Sequence, residues 1–182
     1  MAHFLIVYGT TEGHTAHIAE RMATVIRSAG HLVELHDARE VRRQAISGAF
    51  DGIIVGGSVH AGDHQSSLRE FVQRNRDLLE RVPSALFSVS LTAAEPDEAA
   101  AAETRTTVEK FITETGWRPQ RVQTFAGALV YTQYNVFLRH LMKLIVKHGG
   151  HTELDIARDY DFTDWGAVED FAREFMSSIR AE

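Results

Sequence analysis

Five short apolar or alternating runs, four of them followed by segments with helical spacing, set the strongest limit on what this chain can fold into. Phe4–Tyr8 is the first run, and Ala16–Ser28 follows it with Ile18, Met22, Val25 and Ile26 on one helical face. Ala29-Gly30 marks the end of that helix. His31–His36 alternates and reads as a half-exposed strand. Asp51–Val59 is a third run, followed by a helix over Leu68–Leu79. Ser84–Leu91 is a fourth, introduced by Pro83 and followed by an Ala-rich helix over Glu98–Thr115 that stops at Gly116. Val122–Val130 is the fifth. A last helix covers Trp165–Ile179, capped by Thr163 or Asp164. Strands alternating with helices, with continuous apolar runs among the strands, predict an α/β domain with a doubly wound parallel sheet covered on both faces. Ligands in such sheets bind beyond the carboxyl ends of the strands. The residues to watch are therefore 9–15, 57–65, 91–99 and 127–135.

The loop after the first run carries the chemistry. Tyr8-Gly9-Thr10-Thr11-Glu12-Gly13-His14-Thr15 brings three threonine hydroxyls and two glycines to the start of a helix. Unpaired N–H groups and the helix dipole favour an anion there. The glycines let the backbone curl around a ligand, and the hydroxyls can donate to phosphate oxygens. The loop has neither the lysine of a nucleoside-triphosphate loop nor the spacing of a dinucleotide fingerprint. A hydroxyl-rich cradle without Lys or Arg suits one terminal phosphate.

Composition removes several classes of function. There is no cysteine, so disulfides, thiolate metal sites and Cys nucleophiles are excluded. The net charge of −6 argues against general nucleic-acid binding. The opening apolar run is too short for a signal or a membrane span, which predicts a cytoplasmic protein. Ten histidines invite a metal reading, but His14 and His17 have no matching carboxylate set, and no metal is expected. No triad or other catalytic side chain stands out.

The spacing Thr10-x-x-Gly13-x-Thr15 after an opening strand resembles the flavodoxin phosphate loop. Further blocks resemble the flavodoxin-like, quinone-dependent protoporphyrinogen IX dehydrogenase family. They include Pro83-Ser84-Ala85, Phe87-Ser88-Val89, Trp117-Arg118-Pro119, Ala126-Gly127-Ala128-Leu129, Lys143-Leu144-Ile145, Gly149-Gly150, Thr163-Asp164-Trp165 and Phe171-Ala172-Arg173-Glu174. The resemblance implies a single domain over 1–182, a five-stranded sheet of order 2-1-3-4-5 and a helical insertion at 131–150 after strand five. It implies FMN, with its phosphate on Thr10, Thr11, Glu12, Gly13, His14 and Thr15. The ring would lie between Ser58-Val59-His60-Ala61-Gly62 and Leu91-Thr92-Ala93, with Gly57 and Gly62 allowing close approach. The flavin then carries the chemistry. The family oxidises protoporphyrinogen IX, a six-electron change, and passes the electrons to a quinone.

The chain departs from the family pattern around the expected ring. His60 and Ala61 replace Arg and Tyr, and the loop Thr92–Glu98 is acidic where the family is basic, which would repel the substrate's propionates. Neither loop carries Trp, Tyr or Phe. His60 and His64 flank the expected flavin edge, while Trp117 and Trp165 read as packing residues. In the insertion, Arg139, His140, Lys143 and Lys147 fall on one arc and Phe137, Leu138, Leu141, Met142, Leu144 and Ile145 on the other. This predicts a basic amphipathic helix over 136–148, suited either to packing on the domain or to forming a surface for anionic lipid at the inner face of a membrane, for a quinone or for the porphyrinogen. Tyr131 and Tyr134 could border the flavin or pack. The alternative to an enzyme is a flavodoxin-type electron carrier without its own substrate.

Overall fold

The computed structural model describes residues 1–129 and 160–179. The 131–150 insertion, with its 136–148 helix, Tyr131 and Tyr134, lies outside the described residues. The elements run β1 (His3–Gly9), α1 (His14–Ser28), β2 (Leu32–Asp37), α2 (Ala38–Val41), β3 (Gly52–His60), β4 (Asp63–His64), α3 (Ser66–Arg74), α4 (Arg76–Arg81) and β5 (Ser84–Ser90). A 3-10 turn (Thr92–Ala94) follows, then α5 (Glu98–Thr115), β6 (Arg121–Ala126), β7 (Ala128–Leu129), β8 (Tyr160–Asp161) and α6 (Trp165–Ser178).

The sheet order is β2-β1-β3-β5-β6, all parallel. The five expected strands thus stand in the expected order 2-1-3-4-5. Each central strand feeds both faces, because successive side chains alternate. Phe4, Ile6, Ile54 and Phe87 pack under α1 and α6 with Ile18, Met22, Ile26, Phe171 and Phe175. Leu5, Val7, Ile53, Val55 and Leu86 pack the other way, against Leu68, Phe71, Val108, Phe111 and Trp117. Each such side chain contributes about 1.5–3 kcal/mol on burial. Gly56 exists because of this packing: a Cβ there would lie 1.9 Å from the ring of Phe87, which sits opposite it in register.

Four details differ from the sequence reading. The helix expected over Leu68–Leu79 is two helices. Asn75 breaks it, because its buried amide accepts from Ile46 N (2.8 Å) and donates to Gln44 O and Phe71 O (3.1 and 2.9 Å). Asp37 starts a one-turn helix by accepting from Arg39 N at 2.8 Å. The loop after the third strand is a hairpin: Val59 pairs with His64 and His60 with Asp63 across a two-residue turn. The fifth strand stops at Gly127, whose N–H donates to Ser90 O at 3.0 Å and whose carbonyl accepts from Phe162 N at 3.2 Å. β7 and β8 then pair antiparallel, bringing residue 160 back beside residue 129. α6 is capped by Asp164, which accepts from Ala167 N at 3.0 Å.

Candidate functional site

The carboxyl ends of β1, β3 and β5 open into a cleft. Its first wall is the loop from β1 to α1. Thr10 Oγ1 accepts from Gly13 N at 2.9 Å and folds the loop on itself. Gly13 sits at the helix start with φ +91°, a conformation that favours glycine, and supplies no side-chain cap. The first N–H groups of α1 therefore meet no side-chain acceptor, and the helix dipole adds positive potential there. Thr15 is buried in the first turn and its hydroxyl has no hydrogen-bond partner. An unpaired buried hydroxyl costs about 1–3 kcal/mol. Among the described residues this hydroxyl donor meets no acceptor.

Ser58, Val59 and His60 form the second wall, and Val89, Ser90 and Leu91 the third, with Gly127 and Ala128 beside them. The hydroxyls have a common polarity. Ser90 Oγ accepts from Ala93 N at 3.1 Å, as Thr10 Oγ1 does from Gly13 N, so each keeps its own proton to give. Glu12 lines the cleft as well. Burial raises its pKa, and His60 across the cleft opposes that shift.

His14 closes the far corner. Its Nε2 lies 2.7 Å from Thr163 Oγ1, whose own proton goes to Ala126 O at 2.8 Å. The hydroxyl has one proton, so His14 Nε2 must be the donor, which fixes the tautomer. Asp161 holds this corner in place, accepting from Thr163 N at 2.9 Å and from Trp165 Nε1 at 3.0 Å. Burial lowers the His14 pKa although Asp161 pulls the other way. The imidazole lines the cleft with its Nε2–H held on Thr163.

Residues 5–155 match the flavodoxin domain family. The chain is 33% identical to protoporphyrinogen IX dehydrogenase [quinone] of Escherichia coli, over 93% of this chain and 92% of that one. The chain belongs to the flavodoxin-like protoporphyrinogen IX dehydrogenase family. The Leishmania major protein of the same name is 34% identical over 95% of this chain and 74% of its own length. Flavodoxin 1 of Bacillus cereus shares the fold, with a TM-score of 0.53 at 16% identity, covering 98% of this chain and all of that one.

The protein is thus an FMN-dependent oxidoreductase of this family, and its cleft fits that cofactor. The orphaned Thr15 hydroxyl, the uncapped start of α1 and the outward hydroxyls of Thr10, Ser58 and Ser90 are all donors, as a phosphate ester and the flavin carbonyls require. Of the residues named from sequence, Thr10, Thr11, Glu12, His14, Thr15, Ser58, Val59, His60 and Leu91 come together around one cleft. Gly13 shapes the loop behind them. Ala61 and Gly62 form the hairpin tip, and Thr92 and Ala93 line a neighbouring groove against α5. Gly57 makes room for α3 and the hairpin rather than for a ring, since a Cβ there would meet Leu68 at 2.6 Å and His64 at 3.1 Å. His64 is buried against Phe111 and bonded to Ser88 at 3.0 Å, away from the cleft walls. Its buried Nδ1 is unpartnered, and burial, helped by Arg69, lowers its pKa to about 4. Sequence reasoning missed Val89, Ser90, Thr163 and Asp161 as parts of the site. Among the described residues no cluster is arranged to hold a metal ion, and no helix is long and apolar enough to cross a membrane.

Proposed function

We propose that this protein oxidises protoporphyrinogen IX to protoporphyrin IX and passes the electrons to a quinone. The observation that carries this reading is the end-to-end similarity to the Escherichia coli enzyme of that name, which extends beyond the flavodoxin domain. Six electrons and six protons leave the porphyrinogen, and three quinones become three quinols. When bound, FMN accepts and returns two electrons at a time, so it cycles three times per porphyrin. The chain's own residues hold the phosphate at the start of α1, fix donor hydroxyls around the ring's site and hold His14 on Thr163 at the cleft's corner.

The acidic loop is compatible with an anionic substrate. Asp97 is committed to capping α5, accepting from Ala100 N at 2.7 Å, and Glu95 is buried. Of the loop's three carboxylates, only Glu98 is exposed. Further support comes from the apolar stretches of the cleft wall at Val59, Val89 and Leu91, which suit a flat organic ring.

The test is anaerobic mixing of the FMN-loaded protein with protoporphyrinogen IX. The flavin absorbance bleaches, porphyrin fluorescence appears, and added quinone restores the flavin band. Unchanged flavin on mixing rejects the substrate and favours a carrier that exchanges electrons with proteins alone. The 136–148 segment is proposed as a contact for anionic lipid. The protein then sediments with vesicles containing acidic lipid and is released by salt.

A further inference from the structure

Gln65 belongs to neither wall of the cleft, yet it touches both. It stands at the start of α3, where its carbonyl accepts from Leu68 N and Arg69 N at 3.1 and 3.2 Å. Its side-chain Nε2 donates to Thr11 Oγ1 at 3.2 Å and to Ser58 Oγ. Its Oε1 is buried without a partner. A Cβ on Gly9 would come within 2.7 Å of that oxygen, and one on Gly57 within 3.3 Å. Two glycines on adjacent strands therefore make the slot that admits the amide, and this is the role of Gly9, in place of wrapping a ligand.

The direction of these bonds matters more than their number. Turned about, the amide would bury two N–H donors beside glycine backbone with nothing to accept them. An orphaned N–H is rarer in folded proteins than an under-satisfied carbonyl. The amide is therefore the donor, and both hydroxyls are acceptors. Each hydroxyl has a single proton, and its bond from Gln65 leaves that proton directed to the cleft. Gly13 N does the same for Thr10, and Ala93 N for Ser90. The geometry points to Gln65 as a positioning residue that sets Thr11 and Ser58 as hydrogen-bond donors toward FMN and ties the phosphate loop to the end of β3. This rests on FMN occupying the cleft between them.

The test titrates flavin-stripped, full-length protein with FMN, following quenching of flavin fluorescence. Gln65→Met fills the slot without donating, and FMN affinity falls about tenfold to thirtyfold. In a Thr11→Val/Ser58→Ala background the same substitution costs less than about threefold, since the groups it acts through are gone. Gln65→Glu keeps the shape but can only accept when ionised, so it turns both protons away and binds FMN more weakly than Gln65→Met at pH 8. Circular dichroism of each variant checks the fold. An equal loss from Gln65→Met in both backgrounds overturns the proposal, as does FMN binding by Gln65→Glu at the wild-type level. Failure of the wild-type protein to bind FMN is a separate result, and it overturns the cofactor reading beneath.

Discussion

Thr15 shows how one orphaned hydroxyl can bear on both stability and binding. Its hydroxyl is buried in the first turn of α1 with no partner, so the cofactor-free protein carries an unpaid desolvation cost. Thr15→Val removes the oxygen and keeps the shape. We expect the cofactor-free variant to be about 1 kcal/mol more stable by urea unfolding, while its FMN affinity falls about tenfold to a hundredfold. A loss in both measurements would mean that the hydroxyl is only structural. His64 gives a prediction of a different kind. In the fold its pKa is about 4, against 6.5 as the ordinary value. Between those values the unfolded chain takes up a proton that the fold refuses, so stability is full above pH 6.5 and drains as the pH falls toward 4. The loss is about 3 kcal/mol across that window. The buried carboxylates that lie below their ordinary range, such as Asp37, act only at lower pH. His64→Phe should flatten urea-unfolding stability between pH 7 and 4.5, leaving a shallower slope from His14 and an opposing one from Glu12, whose pKa burial raises. The place of Thr15 at the start of α1 was legible from its spacing with Thr10 and Gly13. The burial of His64 was not, because a histidine four residues after an exposed one carries no mark of which side of a hairpin it faces.

At the scale of elements, the hairpin after β3 carries visible strain. Ala61 has φ +52° and Gly62 φ +81°, the two positive values that a tight two-residue turn between twisted strands requires. An alanine there costs roughly 1 kcal/mol. Ala61→Asn gives the turn its preferred residue pair and should raise the urea midpoint by the equivalent of about 0.5–1 kcal/mol, whereas Ala61→Val should lower it. The opposite outcome would mean that the turn relaxes in solution. Gly56 is less forgiving. Its substitution by alanine drives a methyl into the Phe87 ring between two central strands, and about 3 kcal/mol of stability should be lost. Strand and helix positions were readable because their periodicities are local. The break at Asn75 was not, because what breaks the helix is a bond to Ile46 across a gap of 29 residues. β4, β7 and β8 are two residues each, too short for any period to register.

Over the whole molecule, the strand order was legible only through the family resemblance, since right-handed crossovers and two covered faces narrow the alternatives without choosing one. The cleft is harder to read. It collects residues from β1 to β7, and its far corner depends on Thr163, which returns from a strand paired with residues some 30 positions earlier. No single motif contains that corner. A site assembled from such distant parts should bind its ligand only in the folded chain, so FMN must stabilise the fold by mass action. At a hundredfold excess over the dissociation constant the gain is about 2.7 kcal/mol. For a chain of this size that corresponds to a rise in Tm of roughly 5–11 °C. Riboflavin, which lacks the phosphate, should give less than half of that shift at the same concentration, because the donors at the start of α1 then meet no anion. Scanning calorimetry of the flavin-stripped protein with each ligand makes the comparison. Equal shifts would move the binding energy from the phosphate loop to the ring, and would demote the Thr10–Thr15 segment from anchor to scaffold.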